Sequence, residues 1–548
     1  MPGTAASRRR GSPAAGLAVG LLAGFVWCAG EWLLHPGVGP AGFGRSLLLD
    51  SILAGSVGAL LAGPLRIAGG SRSRPAAALL GSVLLLVVVL GETGGLPTPR
   101  RSAPADRPDL VLVTLDTTRA DRYWAVAAAD RATDLERGSR RFTAVRTAAG
   151  LTAPAHASLF TGLPPSEHGL RNNGGVLARG DTLAARLRRA GYTTLAAPSV
   201  LHLDPGFGFG AGFDHFASCE GGLRAWLRPA RPALLAKALL RLLGAGRPVR
   251  PGRETLAAAR RLWLAAPAAR PRFLWVHLFE PHWPYRPEGG AMAGPPWPEA
   301  PLPGFDRDRI AELRRLYDGE IRDVRRMLAP FLDALEADSA ARGRRLVVVL
   351  TADHGEALGE HGASDHGDLP YEEGIRVPLW IRAPGLEPGE DDSPWSLTSV
   401  GLGLASWLAP ESGPGNAFTA VLRGDGDGGE PIRVETDHGD FRNVAWIEEG
   451  RKLVAHARIS PEAMRRKPVP WRRPPDDLPW FGPVEVYDLA ADPLEQNNLF
   501  APEAPGAAAA SAQARELLAG LRPDGEPQPG VPPEVRRALA ELGYLGGE

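Results

Sequence analysis

Cysteine is almost missing from this chain, with two in 548 residues. That excludes a disulfide scaffold and any thiolate-rich zinc module. Lysine is nearly as scarce: Lys237, Lys452 and Lys467 are the three, and arginine supplies the other basic residues. An excess charge of either sign is also missing, because 62 Lys+Arg balance 62 Asp+Glu. Nucleic-acid binding usually needs a basic face, so no nucleic-acid partner is expected. Arg, Ala, Gly and Pro are heavily used, which reads as a GC-rich coding signature rather than function. Gly and Pro together reach about 22%, just short of the range where low complexity becomes the default. The 548 residues allow two to four domains, and with 44% hydrophobic residues the chain can bury a large core.

What is present begins with a membrane pattern in residues 1–98. Three apolar runs, at 13–30, 46–65 and 75–91, each approach the roughly 20 residues that span a bilayer core. They predict three transmembrane helices. A signal peptide is the rival reading of the first run, because Arg8, Arg9 and Arg10 precede it. Asp50 in the second run reads as a snorkelling residue or as a polar contact between helices. Arg8–Arg10 and the loop with Arg66, Arg72 and Arg74 belong inside by the positive-inside rule. The expectation is a protein of the cytoplasmic membrane, N-terminus inside, with an extracytoplasmic (periplasmic) soluble part.

Residues 99–108 form a Pro- and Arg-rich linker. Residues 109–430 then alternate apolar runs with amphipathic stretches. Runs at 109–115, 192–197, 273–279 and 345–351 predict buried strands. Segments 181–190, behind an Asp181 cap, and 308–335 predict helices. This alternation implies an α/β domain with a central, mainly parallel sheet flanked by helices. Residues 431–500 read as a small antiparallel subdomain, with strands near 432–435, 444–448, 452–456 and 484–487. In 501–548 the Ala/Pro-rich stretch to about 533 reads as loosely ordered, followed by a terminal helix at 533–545.

Sites in parallel sheets form beyond the carboxyl ends of strands. Asp116, His282, Asp353 and His354 all stand just after strand-like runs. Carboxylate plus imidazole suits zinc, manganese or a similar divalent ion. Thr152 sits before a proline and a helix-like stretch, where a helix N-terminus favours an anion. Plainer roles stand beside these: Asp353 and Thr152 as ordinary caps, His277 as a core histidine, and His168 as a turn residue. Glu356, Glu360 and His361 read as supports of a site or as a solvated face. Cys219 reads as an idle thiol.

Six ordered segments carry a family resemblance. They are LVTLDTTRAD (112–121), LTAPAHASLFTGLPPSEHG (151–169), HLFEPHWPY (277–285), TADHGEALGEHG (351–362), YEEGIRVPLWI (371–381) and VYDLAADPLEQNNL (486–499). Together they resemble the sulfatase-like branch of the alkaline phosphatase superfamily. The resemblance implies an alkaline-phosphatase-like α/β sandwich and ester hydrolysis. It implies metal ligands Asp116, Thr152, Asp353 and His354, and catalytic residues Thr152, His282, His366 and His156. His156 stands where the family has an anion-contacting arginine.

Two departures shape the expected chemistry. Thr152 stands where sulfatases carry the Cys or Ser that becomes formylglycine, and threonine cannot yield that aldehyde. Thr152 matches instead the nucleophile of phosphoesterases and of phosphoethanolamine or phosphoglycerol transferases. Asp116-Thr117 replaces a paired carboxylate, which implies one divalent ion (Zn, Mn, Ca or Mg) rather than two. The leading expectation is a membrane-anchored, metal-dependent hydrolase of phosphate or sulfate esters. The alternatives are a transferase acting on envelope lipid or glycan, and a non-catalytic relative. The expected partners are an anionic ester, lipid- or glycan-linked, and the bilayer. The insertions at 217–253 and 288–305 carry no readable motif.

Overall fold

The computed structural model describes residues 106–130, 133–178, 181–219, 249–287, 307–362, 366–426, 428–438, 441–456 and 484–521. The apolar runs at 13–30, 46–65 and 75–91 and the terminal helix at 533–545 lie outside them. Among the described residues no helix is long and apolar enough to cross a membrane.

Eight strands form the main sheet: β1 Asp109–Leu115, β2 Arg140–Arg146, β3 Thr193–Ala197, β4 His215–Phe216, β5 Arg272–Leu278, β6 Leu346–Ala352, β7 Leu379–Arg382 and β8 Gly389–Ser396. Their spatial order is β4-β3-β5-β1-β6-β7-β2-β8. The first five are mutually parallel, β7 runs antiparallel to both its neighbours, and β8 is parallel to β2. Every residue of β1, β5 and β6 is buried, as expected where helices cover both faces of a sheet. At the start of β1 the buried Asp109 carboxylate accepts from the Arg272 backbone (2.7 Å), the Arg272 guanidinium (2.5 Å) and Ser339 (2.8 Å).

Strands β2 and β8 were not legible, because charges interrupt both. Arg146 of β2 is neutralised by a two-pronged ion pair with Glu372. Strand β8 lies at the sheet edge, where its acidic residues and Pro394 are tolerated. The predicted Asp181 cap is corrected to Thr182. Thr182 Oγ1 accepts from the Ala185 amide at the start of helix Leu183–Arg189, while Asp181 pairs with Arg189.

Strands β9 Ile432–His438, β10 Phe441–Glu448, β11 Arg451–His456 and β12 Val484–Asp488 make an antiparallel sheet ordered β12-β11-β10-β9. Period-two alternation gives it two apolar faces. One face, with Ile432, Val434, Ala445 and Val454, packs with Tyr371 and Ile375. The other, with Val444, Leu453, Ala455 and Val484, needs a cover. Helix Ala507–Ala519 supplies it through Ala514 and Leu517. The loosely ordered tail predicted for 501–533 is therefore corrected over this helix. Alanine has the highest helix propensity, and the exposed sheet face gives it a docking surface.

Candidate active site

Because β1 lies between β5 and β6, Leu115 is in register with Leu278 and with Ala352. The chain therefore leaves all three strands at one edge. Asp116 and Asp353 are the next residues on β1 and β6, and their backbone amides still bond across to Leu278 (2.9 Å) and Leu115 (3.2 Å). Thr117 then turns with φ of 48°, a left-handed conformation that β-branched residues rarely adopt. Its amide donates to Asp353 Oδ1 (3.2 Å), and its carbonyl accepts from Tyr317 (2.6 Å).

The Asp353-His354-Gly355 turn is equally constrained. A Cβ on Gly355 would lie 2.0 Å from the Glu373 carbonyl oxygen, so only glycine allows this approach. The Gly355 carbonyl can only accept, so His354 Nδ1 carries the proton of their 2.9 Å bond. His354 Nε2 is left with its lone pair. It faces Thr152 Oγ1 at 3.3 Å, Asp116 Oδ1 at 3.7 Å and Asp353 Oδ2 at 3.6 Å.

Thr152 begins a wholly buried helix, Thr152–Thr161, after extended Leu151. It is the first helical residue rather than the cap. Asn173 Oδ1 accepts the next amide, that of Ala153, at 2.8 Å. On the far side, Gly401 of helix Leu397–Leu408 packs so tightly that a Cβ would meet the Leu159 carbonyl at 1.7 Å. Thr152 Oγ1 also lies 3.5 Å from Asp116 Oδ1.

Asp116, Thr152, Asp353 and His354 are all buried. Burial pushes the Asp353 carboxyl up and His354 well down, so each resists carrying charge alone. Asp353 Oδ2 accepts no hydrogen bond among the described residues. Ligand atoms of Asp116, Asp353 and His354 lie within 4.8 Å of one another. Two carboxylates, a lone-pair imidazole and a hydroxyl are a donor set that fits a divalent cation.

Other histidines crowd this edge. His282 donates through Nδ1 to the Trp283 carbonyl (2.6 Å), and burial pushes it down to about 3. His366 stacks on His354, with ring centroids 4.6 Å apart, and its Nδ1 lies 3.0 Å from Glu356 Oε1. His156 does not point outward. Its Nδ1 donates to the Thr152 carbonyl (2.8 Å), and its Nε2 meets Thr114 Oγ1 (2.9 Å), which also accepts from Trp275. Burial pushes His156 down to about 4. The shorter imidazole thus stays within the fold, supporting the Thr152 backbone.

Two further histidines stand here: His277, read from the sequence as a core histidine and indeed buried, and His202, which sequence reasoning missed. His277 sits on β5 opposite Thr114, with Nε2 3.6 Å from Asp116 Oδ2. Buried His202 follows β3 and couples electrostatically to His156, His282 and His366. Both stand at or beyond the carboxyl end of a strand, and that position was the available signal. The remaining roles sort by contact. Glu356 holds His366, Glu360 pairs with Arg119 (2.9 Å), His168 bonds Ser158 (3.0 Å), and the Cys219 thiol donates to the Ser199 carbonyl.

The sulfatase family model matches residues 108–407. This chain belongs to the sulfatase family. Five of the six motifs that resemble the sulfatase-like branch of the alkaline phosphatase superfamily lie within this match, and the sixth, 486–499, lies beyond it. An uncharacterized sulfatase, YidJ, of Escherichia coli is 33% identical over 159 residues, covering 28% of this chain and 27% of that protein. The choline-sulfatase of Rhizobium meliloti is 26% identical over 202 residues, covering 35% and 34%. The chain thus spans about a quarter to a third of the length of these curated relatives. Among solved structures, the phosphonate monoester hydrolase of Agrobacterium radiobacter superposes with a TM-score of 0.51 at 22% identity. The match covers 76% of this chain and 95% of that one. That likeness establishes the alkaline-phosphatase-like fold.

Proposed function

We propose that this chain is a membrane-anchored hydrolase of phosphate or sulfate esters that uses Thr152 as its nucleophile. One observation carries the reading: the Thr152 hydroxyl sits at a buried helix N-terminus, 3.3 Å from His354 Nε2 and 3.5 Å from Asp116 Oδ1. Asp116, Asp353, His354 and the Thr152 oxygen would hold a divalent cation, which when bound lowers the hydroxyl's pKa and offsets negative charge.

Thr152 Oγ1 then attacks phosphorus or sulfur in line. The new O–P or O–S bond forms as the ester oxygen leaves, and the hydroxyl proton is lost to solvent. The helix N-terminus favours the anionic group beside it. In the second step water attacks phosphorus or sulfur, the bond to Thr152 Oγ1 breaks, and the water's proton passes to the departing Thr152 oxygen; His282, with its Nδ1 proton committed to Trp283, orients that water by accepting a hydrogen bond at Nε2. His366, oriented by Glu356, is the imidazole that serves the leaving oxygen.

The three apolar runs and the arginine distribution support anchoring in the cytoplasmic membrane with the soluble part outside. They also favour a second reading. A bilayer-anchored threonine enzyme can pass its bound group to a lipid or glycan alcohol instead of water. That transferase would consume a lipid donor only when an acceptor is present.

The test is a panel of nitrophenyl phosphate, a phosphodiester and nitrophenyl sulfate, run on metal-analysed full-length protein beside Thr152→Ala. Metal-dependent turnover that vanishes in Thr152→Ala supports the reading, and turnover retained by that variant overturns it.

A further inference from the structure

A cavity of about 570 Å³ opens at the other edge of the main sheet, away from Asp116 and Thr152. Its walls are the end of helix Ala120–Ala129, part of the segment that follows, and the first residues of β2 and β8. Arg141 of β2 is in register there with Glu390 of β8. Strand β2 runs in the same direction as β1, because β7 is antiparallel to both β6 and β2. The cavity thus lies at the amino ends of the strands, and the ester site at their carboxyl ends. Its volume is that of a small-molecule pocket.

Four carboxylates line it: Asp130, Asp134, Glu136 and Glu390. Glu136 is already engaged, accepting from the Tyr123 hydroxyl and pairing with Arg325. Glu390 faces Arg141 at 3.5 Å, and the Arg141 guanidinium lies over the Trp124 ring, 5.7 Å from its centroid. Asp130 is different. It is 8% exposed, and its Oδ2 has no hydrogen-bond partner among the described residues. It also ends the helix Ala120–Ala129, whose last turn carries no basic residue. The helix dipole is negative at that end, so an enclosed carboxylate there is costly without a cation against it. Trp124 Nε1 is enclosed too and donates to nothing among the described residues. The walls therefore hold an acceptor and a donor that the fold leaves unmatched.

A metal ion does not fit this pattern. Among the described residues, every group of three or more donors close enough to share an ion contains Asp353, and none contains Asp130. The acidic side chains here are spread around a molecule-sized space.

We propose that the cavity binds a small hydroxylated amine in its protonated form. The ammonium group sits against Asp130, with Asp134 adding negative charge. A hydroxyl oxygen accepts from Trp124 Nε1, and the carbon frame lies against Ala127, Ala128 and the indole. Charge-assisted hydrogen bonds to an enclosed carboxylate are the strong ones, so Asp130 supplies most of the recognition. This site stands independently of the ester-cleaving reading.

The experiment is calorimetric titration of the full-length protein with glucosamine in an amine-free buffer. Glucose, which lacks the amine, and N-acetylglucosamine, which lacks its charge, are the controls. Glucosamine should bind at one equivalent, and both controls at least about tenfold more weakly, the scale of one hydrogen bond to a charged group. Asp130→Asn should lose at least as much, and Trp124→Phe should weaken glucosamine as well. Asparagine is well tolerated at helix ends, so Asp130→Asn should fold, melt no lower than the native chain, and keep its ester turnover. No binding of glucosamine overturns the proposal, as do equal binding of all three sugars and unchanged binding in folded Asp130→Asn.

Discussion

Thr152 Oγ1 lies 3.3 Å from His354 Nε2, although 202 positions separate the two residues in the chain. The meeting is built by backbone geometry. His354 is held by the Gly355 turn beyond β6, and Thr152 by the first turn of a buried helix. Neither side chain is free to search for the other.

Replacing Thr152 with alanine removes the only atom proposed to bond to substrate. Turnover should fall by at least about a thousandfold, the scale seen when a covalent nucleophile is deleted. Thr152→Ser should keep measurable activity, because it restores the hydroxyl. Single-turnover kinetics on a nitrophenyl ester check both.

Removing metal should destabilise the fold as well as silence it. At free ion about a hundredfold above its dissociation constant, binding adds about 2.7 kcal/mol. Thermal melts should therefore fall on chelation in the native protein and stay unchanged in Asp353→Asn. Burial holds the Asp353 carboxyl up, so protons compete with the ion, and metal affinity should weaken as pH falls. Metal titrations at pH 6 and 8 read this directly.

His361 predicts an alkaline loss of stability. Burial opposes its charge, but the hydrogen bond and charge of Glu373 (2.7 Å) outweigh that and raise it from 6.5 to about 9. A raised folded-state pKa gives stability that is complete below pH 6.5 and lost as pH rises through 9. The shift corresponds to about 3 kcal/mol. Urea midpoints at pH 6, 8 and 10 should show that slope in the native chain and a flatter one in Glu373→Gln.

Lys452 is fully buried and lies 2.6 Å from Glu495 and 3.5 Å from Glu372. Glu495 in turn accepts the Glu372 amide, joining the last motif to the YEE segment. Lys452→Met strands a buried carboxylate and should cost about 3–5 kcal/mol. Lys452→Met with Glu495→Gln should recover much of that loss, since no uncompensated charge remains. Denaturant unfolding of the single and double variants decides it.

Much of this was legible in the residues. An uninterrupted apolar run such as 109–115 has one stable home, a strand covered on both faces, and the polar residue after it must emerge at the sheet edge. That argument alone brought Asp116, His282, Asp353 and His354 forward. Composition and motif order thus determined the fold class and the family. Only the tertiary structure decided that β1 lies between β5 and β6, because strand order depends on crossovers that local pattern does not encode. From that order come the division of Asp116 between Thr152 and His277 and the inward turn of His156; the helix Ala507–Ala519 closing the second sheet was likewise decided by tertiary packing. Each depends on which surfaces meet, and burial energy settles that over the whole chain at once.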